Sequence, residues 1–124
     1  MTIRPLETHV RQQQPRVAII EMRGEIDGGA EATLNSAFAA ATSHGAETIL
    51  LNFAGVDYIN STGIALIVGL LGQARAARIN LITCGLSDHY IEIFRITRLA
   101  DFMTVFIDEA AALSSLYDSM KPKE

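Results

Sequence analysis

The chain has 124 residues, 49% of them hydrophobic, with 10 Lys and Arg against 14 Asp and Glu and a formal net charge of -4. This length suits one compact domain, and the acidic balance argues against a protein that binds nucleic acid directly through a basic face. The lone cysteine, Cys84, cannot form an internal disulfide or a structural zinc site by itself. The residues after Met1 lack a signal peptide's apolar centre, and no apolar run reaches the ~18 residues that span a bilayer. We therefore expect a soluble cytoplasmic protein without membrane contact.

Extended and helical patterns of apolar residues alternate along the chain. The extended segments are 6–12, 16–23, 48–53, 79–85 and 103–107. The helical segments are 30–43, 61–78, one that opens at 87–90 and ends near 97–98, and one that starts at 108–109. Pro15 separates the first two strands as a hairpin, and the apolar run Val17–Met22 indicates burial on both faces. The alternation predicts an α/β fold with a four- to five-stranded mixed sheet, mostly parallel with an antiparallel edge strand, and about four helices.

The helix predicted over 61–78 has an unusual outer face. Stepping about 100° per residue places one set of side chains on the sheet: Ile64, Ile67, Val68, Leu71 and Ala74. The opposite set is small and weakly polar, where a helix facing water usually carries Lys and Glu: Thr62, Ala65, Leu66, Gly69 and Gln73. In the third helix we expect Ile91 and Phe94 to face inward, with Ile96 as a further candidate. In the last helix the expected inner stripe is Ala112, Leu113, Leu116 and Tyr117.

Enzyme and metal motifs fail in this sequence. Ser61 precedes Gly63 by two residues, but Ile59 stands where a nucleophile elbow needs its first glycine. The segment Gly69–Gly72 is not followed by the Gly-Lys-Ser/Thr of a phosphate-binding loop. The three histidines lack metal-ligand spacing and are expected at the surface: His9, His44 and His89. We therefore expect no catalytic residues, no cofactor and no metal.

A polar group stands between a strand and the long apolar helix: Asn60, Ser61 and Thr62. A Ser or Asn oxygen here can cap the helix, which contributes on the order of 1 kcal/mol. Capping explains one such residue but not three together. A helix N-terminus also favours a phosphate, because the free N–H groups and the positive end of the helix dipole both stabilise its negative charge. A hydroxyl at this position can therefore become a well-tolerated phosphoserine.

Four segments, in order, resemble those of a known family. Residues 22–27 are similar to its Gly-Glu-Leu-Asp turn, 49–53 to its third strand, 58–71 to its signature Asp-Ser-Ser/Thr-Gly loop and helix, and 93–102 to the segment before its last strand. The family is that of the anti-sigma-factor antagonists built on the STAS domain (sulphate transporters and anti-sigma antagonists). The resemblance implies a single STAS-like domain over 1–120. The tail at 121–124 is expected to fray, as terminal residues commonly do.

The resemblance also implies a function. In the family, an anti-sigma factor with serine kinase activity phosphorylates the serine that corresponds to Ser61, and a serine phosphatase reverses the modification. The unphosphorylated antagonist binds the anti-sigma factor and releases the sigma factor. Thr62 matches the second hydroxyl and is the fallback acceptor, while Asn60 replaces the usual aspartate and keeps a cap without its charge. Asp27 matches a family aspartate near this loop.

The resulting prediction is a non-enzymatic partner switch in signal transduction and transcription regulation. Its predicted partner-binding residues are Asp27, Asn60, Ser61, Thr62, Gly63, Ala65, Leu66 and Gly69. A scaffold or regulatory STAS subunit of a larger stress-signalling assembly is the alternative. The weakly charged helix face serves a partner or a second copy equally well, so a monomer and a weak dimer both remain open.

Overall fold

A computed structural model describes residues 4–13 and 15–120, apart from the side chain of Met120. The predicted tail at 121–124 lies outside these residues. Within them the strands are β1 Glu7–Gln13, β2 Val17–Ile26, β3 Thr48–Ile59, β4 Asn80–Cys84 and β5 Val105–Phe106. The helices are α1 Glu31–Thr42, α2 Ser61–Ala76, α3 Asp88–Ile96 and α4 Glu109–Met120, with short 3-10 turns at Gly28–Ala30 and Leu99–Asp101. None of these helices is both long enough and apolar enough to cross a membrane.

The five strands form one sheet in the order β1-β2-β3-β4-β5. The β1–β2 hairpin is antiparallel, with Glu7 opposite Arg23, and every other neighbouring pair is parallel. This arrangement confirms the predicted mixed sheet with an antiparallel edge. Because β2, β3 and β4 run parallel, their carboxyl ends lie at one edge of the sheet, where the chain turns into the helices.

Both faces of the sheet are covered. The larger core includes Leu34 and Phe38 of α1, Leu70 of α2 and Phe94 of α3. On the opposite face α4 packs through Ala112 and Leu116. Successive β2 residues alternate between these cores, which confirms burial of that strand on both faces.

Arg11 of β1 links α4 to the sheet. Its guanidinium donates to Glu21 on β2 and to Glu109 on α4, both at 2.7 Å. The hydrogen bond to Glu109 raises the pKa of Arg11, outweighing partial burial. In the rest of the predicted stripe of α4, Leu113 and Tyr117 are only partly buried.

The inward faces of two helices differ from the prediction. In α2 Val68 is 49% exposed, whereas Leu70, which we did not predict in the core, is 1% exposed. Residues 64–71 are almost all apolar, so hydrophobicity alone does not fix the rotation of the helix. In α3 Ile91 and Ile96 are exposed at 39% and 63%, because Phe94 is the side chain that enters the core of this nine-residue helix.

Strand lengths also differ from the prediction. β3 continues to Ile59 rather than ending at 53, because β2 follows it across two register irregularities, one between Glu21 and Arg23 and one between Gly24 and Glu25. β5 is only two residues long. At the other end of α2, the chain leaves the helix after Ala76, and Arg78 takes a left-handed backbone with φ 59°.

Candidate functional site

Asn60 determines where α2 begins. Its backbone is extended, its Oδ1 accepts a hydrogen bond from the Gly63 N–H at 2.8 Å, and its carbonyl accepts from Ile64 at 2.9 Å. This is a side-chain N-cap, and it makes Ser61 the first residue of the helix. The sequence-based prediction that α2 starts at Ser61 is therefore confirmed.

The first turn of α2 lies directly against the end of β2. The Asn60 N–H donates to the Ile26 carbonyl at 3.2 Å. Gly63 is buried so close to the same carbonyl that a Cβ at this position would lie 2.1 Å from the oxygen. Only glycine allows this approach without a shift of the backbone. Of the predicted partner-binding residues, Gly63 thus holds the helix against the sheet, whereas Ser61 and Thr62 remain exposed.

The turn after β2 lies beside the same helix start. Asp27 caps the 3-10 turn, because its Oδ1 accepts from the Gly29 N–H at 2.9 Å. The following Gly28 lies next to Thr62, and a Cβ built on it would be 3.4 Å from the threonine methyl carbon. The structure therefore brings the Asp27 turn and the Asn60–Thr62 segment together at one edge of the sheet.

A cavity of about 310 Å³ lies on the other side of Ser61, between α2 and α3. Its lining is mostly apolar: Ile59, Asn60, Ser61, Ile64, His89, Tyr90, Ile93 and Thr97. His89 is exposed, as are His9 and His44, which agrees with the predicted surface positions of the three histidines. The His89 ring contacts the Tyr90 ring edge-on, with centroids 4.8 Å apart.

The first turn of α2 contains no acidic residue, whereas each of the other three helices begins with one: Glu31, Asp88 and Glu109. The carboxylate of Asp57, on the preceding strand, is paired with Arg4. A helix dipole attracts negative charge to the N-terminus. The exposed tip at Ser61 and Thr62 can therefore accept an anion that the helix itself does not supply.

The outer face of α2 borders a groove that Leu34 and Asn35 of α1 line on the other side. Ala65 and Gly69 are exposed, and a Cβ on Gly69 would meet nothing within 4 Å. Leu66 is partly buried against the main core, and Gln73 donates to Asn35 of α1 at 3.2 Å. The predicted face is therefore open at Ala65 and Gly69 and closed by internal packing at Leu66.

Among residues 4–13 and 15–120, no three His, Cys, Asp or Glu side chains lie close enough together to hold a metal ion. Cys84 is fully buried in the smaller core, and this burial raises the pKa of its thiol to about 11. A thiol with so high a pKa is a weak nucleophile at neutral pH.

A family model described as the STAS domain matches residues 9–112, which is most of the chain. The chain belongs to the STAS domain family. This STAS domain is 31% identical over 86 residues to an anti-sigma-B factor antagonist from Staphylococcus epidermidis, a match that covers 69% of this chain and 80% of that protein. The family predicted from the four matching segments of the sequence is thereby confirmed.

Solved structures agree on the fold. An anti-sigma factor antagonist from Mycobacterium paratuberculosis superimposes with a TM-score of 0.74 at 16% identity, covering 91% of this STAS domain and 95% of that chain. The Bacillus cell fate determinant SpoIIAA in its phosphorylated form gives a TM-score of 0.68 at 22% identity, covering 89% and 99%. At these identities the likeness supports the fold alone.

Tyr90 is the residue of this site that the sequence did not reveal. Its hydroxyl accepts a hydrogen bond from the Ile59 N–H at 2.8 Å and lies 3.4 Å from the Ile59 carbonyl, to which it donates. In sequence, Tyr90 is only a residue in the first turn of a helix, 31 positions beyond Ile59. No local pattern indicates that partner, because the contact depends on where β4 separates from β3.

Proposed function

We propose that this STAS domain is a phosphorylation-controlled antagonist of an anti-sigma factor, with Ser61 as the phosphoacceptor. The observation that carries the proposal is the exposed position of Ser61 as the first residue of α2, a helix whose first turn lacks an acid. The similarity to the Staphylococcus epidermidis antagonist supports the class of partner. The proposal assigns no catalytic step to the chain and sets it in the cytoplasm.

The switch follows from the charge of a phosphate. A phosphoserine carries about −1.5 to −2 charges at pH 7. The N-terminus of α2 tolerates that charge in the free protein, so phosphorylation leaves the fold intact. In a complex, the same charge would have to be desolvated against a partner that fits a neutral hydroxyl, which weakens binding. The unphosphorylated form therefore binds the anti-sigma factor, and a serine phosphatase restores it.

The phosphorylation experiment begins with capture of the binding partners from the native host. The captured anti-sigma factor and ATP should add one phosphate to the wild-type chain, and peptide mapping should locate it on Ser61. Ser61→Ala should bind the partner without being modified, and Ser61→Asp should bind more weakly. Phosphate found mainly on Thr62, or equal labelling of wild type and Ser61→Ala, would contradict the assignment.

The partner is proposed to dock along the open part of the outer face, at Ala65 and Gly69, next to Ser61. Gly69→Glu should leave the free energy of unfolding within about 0.5 kcal/mol of wild type, because the position is open and helix propensity improves. Affinity should nonetheless fall about tenfold, which corresponds to roughly 1.4 kcal/mol.

Ala40→Glu is the matched control, because it adds the same charge at an exposed position of α1. It should bind like wild type. If Gly69→Glu also binds like wild type, the docking face lies elsewhere on the domain. The mass of the purified complex, measured by light scattering, distinguishes a small antagonist complex from a subunit of a large assembly.

A further inference from the structure

Tyr90 connects α3 to the strand that leads into Ser61. The residue lies in the first turn of α3, where the Ser87 side chain caps the helix. Its ring packs partly buried against the main core, and its hydroxyl binds both backbone groups of Ile59, accepting at 2.8 Å and donating at 3.4 Å. Ile59 is the last residue of β3, two positions before Ser61.

The backbone of Ile59 has lost its neighbouring strand on this side. β3 pairs with β4 only as far as Asn52, which lies opposite Cys84. After Cys84 the chain turns at Gly85, where φ is +79° and a Cβ would lie 2.7 Å from the Ala54 nitrogen. From this point the chain after β4 diverges, while β3 continues to Ile59, and among the described residues β2 is the strand that remains paired with it there.

The direction of the backbone groups explains why a side chain is needed. The Asn60 N–H points toward β2, since it donates to the Ile26 carbonyl. Successive residues of a strand direct their N–H and C=O groups to opposite sides, so both groups of Ile59 point toward the side that β4 has left. A buried N–H without a partner is costly. The Tyr90 hydroxyl supplies one acceptor and one donor there, as a neighbouring strand would.

We propose that the Tyr90 hydroxyl is a positioning group for phosphorylation, which fixes the Ile59–Ser61 segment so that the Ser61 hydroxyl is presented to the kinase in one orientation. This inference rests on the proposed function. The segment is held on its β2 side by Asn60 and Gly63, and on its α3 side by Tyr90. Loss of the hydroxyl frees one side only, so the fold and the docking face remain while the reacting oxygen loses its fixed position.

Tyr90→Phe removes the hydroxyl and keeps the ring. The matched control is Tyr117→Phe in α4, which removes a hydroxyl that accepts from the Gln13 side chain at 3.3 Å on the opposite face of the sheet. The first measurement, amide hydrogen exchange, needs no kinase. In Tyr90→Phe the Ile59 amide should exchange roughly tenfold faster or more, beyond any change at Leu50 in the middle of β3. Equal acceleration at Ile59 and Leu50 would reflect global destabilisation and overturn the inference.

The second measurement uses the kinase obtained by partner capture. Presentation of the hydroxyl affects the chemical step more than docking, so Tyr90→Phe should lower kcat about tenfold with KM within about twofold of wild type. Tyr117→Phe should leave both constants unchanged. An unchanged kcat, or a rise in KM alone, would refute the positioning role. Absence of labelling in the wild-type chain would refute the proposed function instead, and the exchange data would still decide whether Tyr90 holds Ile59.

Discussion

Gly63→Ala tests whether the start of α2 is held by direct contact with β2. The added methyl group would lie 2.1 Å from the Ile26 carbonyl oxygen, 2.8 Å from its carbon and 3.0 Å from the Cγ2 atom of Ile59. The shortest of these is about 1.3 Å below the 3.4 Å at which ordinary contact begins. The two closest of these atoms belong to the backbone, so a side-chain rotation cannot relieve the overlap and the helix must move away from the strand.

Two terms of opposite sign set the size of the effect. Overpacking a well-packed core costs about 1–3 kcal/mol, and movement of the helix also strains the hydrogen bond from Asn60 to Ile26. Alanine gains up to about 1 kcal/mol over glycine from helix propensity. We expect a net loss of about 1–2 kcal/mol in the free energy of unfolding, or roughly 4–8 °C in Tm.

Gly69→Ala, six residues further along the same helix, isolates the propensity term. A Cβ there meets nothing within 4 Å, so the free energy of unfolding of this variant should rise by about 0.5–1 kcal/mol. Urea unfolding of both variants at pH 7 measures the difference directly. A Gly63→Ala variant as stable as wild type would mean that α2 does not press on Ile26, and the account of how Ser61 is presented would fail with it.

Three further predictions concern stability and reactivity. Asn60→Ala removes the cap and should lower the free energy of unfolding by about 1 kcal/mol, whereas Asn60→Asp should raise it by about 0.5 kcal/mol at pH 7. Because the helix lowers the folded-state pKa of that aspartate, the gain in the free energy of unfolding should disappear as the pH falls below about 4. Urea unfolding curves that show the same gain at pH 7 and at pH 3 would contradict this prediction. Cys84, with its pKa raised to about 11, should resist iodoacetamide at pH 8 until urea unfolds the chain, so rapid native labelling would show that it is accessible. Glu109→Gln should weaken the contact with Arg11 and lower the free energy of unfolding by no more than about 1 kcal/mol, because the pair is partly exposed. Amide exchange should become faster in α4 than in the rest of the domain.

The parts of the fold that the sequence predicts are those set by local composition. The alternation of strands and helices gives the sheet and its antiparallel edge. Val17–Ile20 is apolar at every position, and the strand is buried on both faces. Asn60 and Ser61 precede an apolar run, and the helix starts there. In each case the determining signal lies within a few residues of the feature.

The features that the sequence does not predict depend on distant contacts. Val68 is exposed where we predicted it in the core, and Leu70, to which we assigned no side, is buried, because the rotation of α2 is set by Gly63 against β2 and not by a polar stripe. Gly55 and Asp57 are typical of a turn, yet they lie within β3, since the irregularities in β2 keep the two strands paired. Tyr90 acquires its partner only where β4 diverges from β3.

The acidic residues at the other helix starts bear on Asn60, which stands where the resemblance implies an aspartate. An acid in the first turn stabilises a helix by about 0.3–1 kcal/mol, and α1, α3 and α4 each have one. In α2 the neutral Asn60 caps the helix without neutralising its dipole. In the proposed switch, the charge at this end would come from the phosphate on Ser61, with no carboxylate at position 60 to repel it. Phosphorylation would then change the charge of the docking surface while stabilising the helix that carries it.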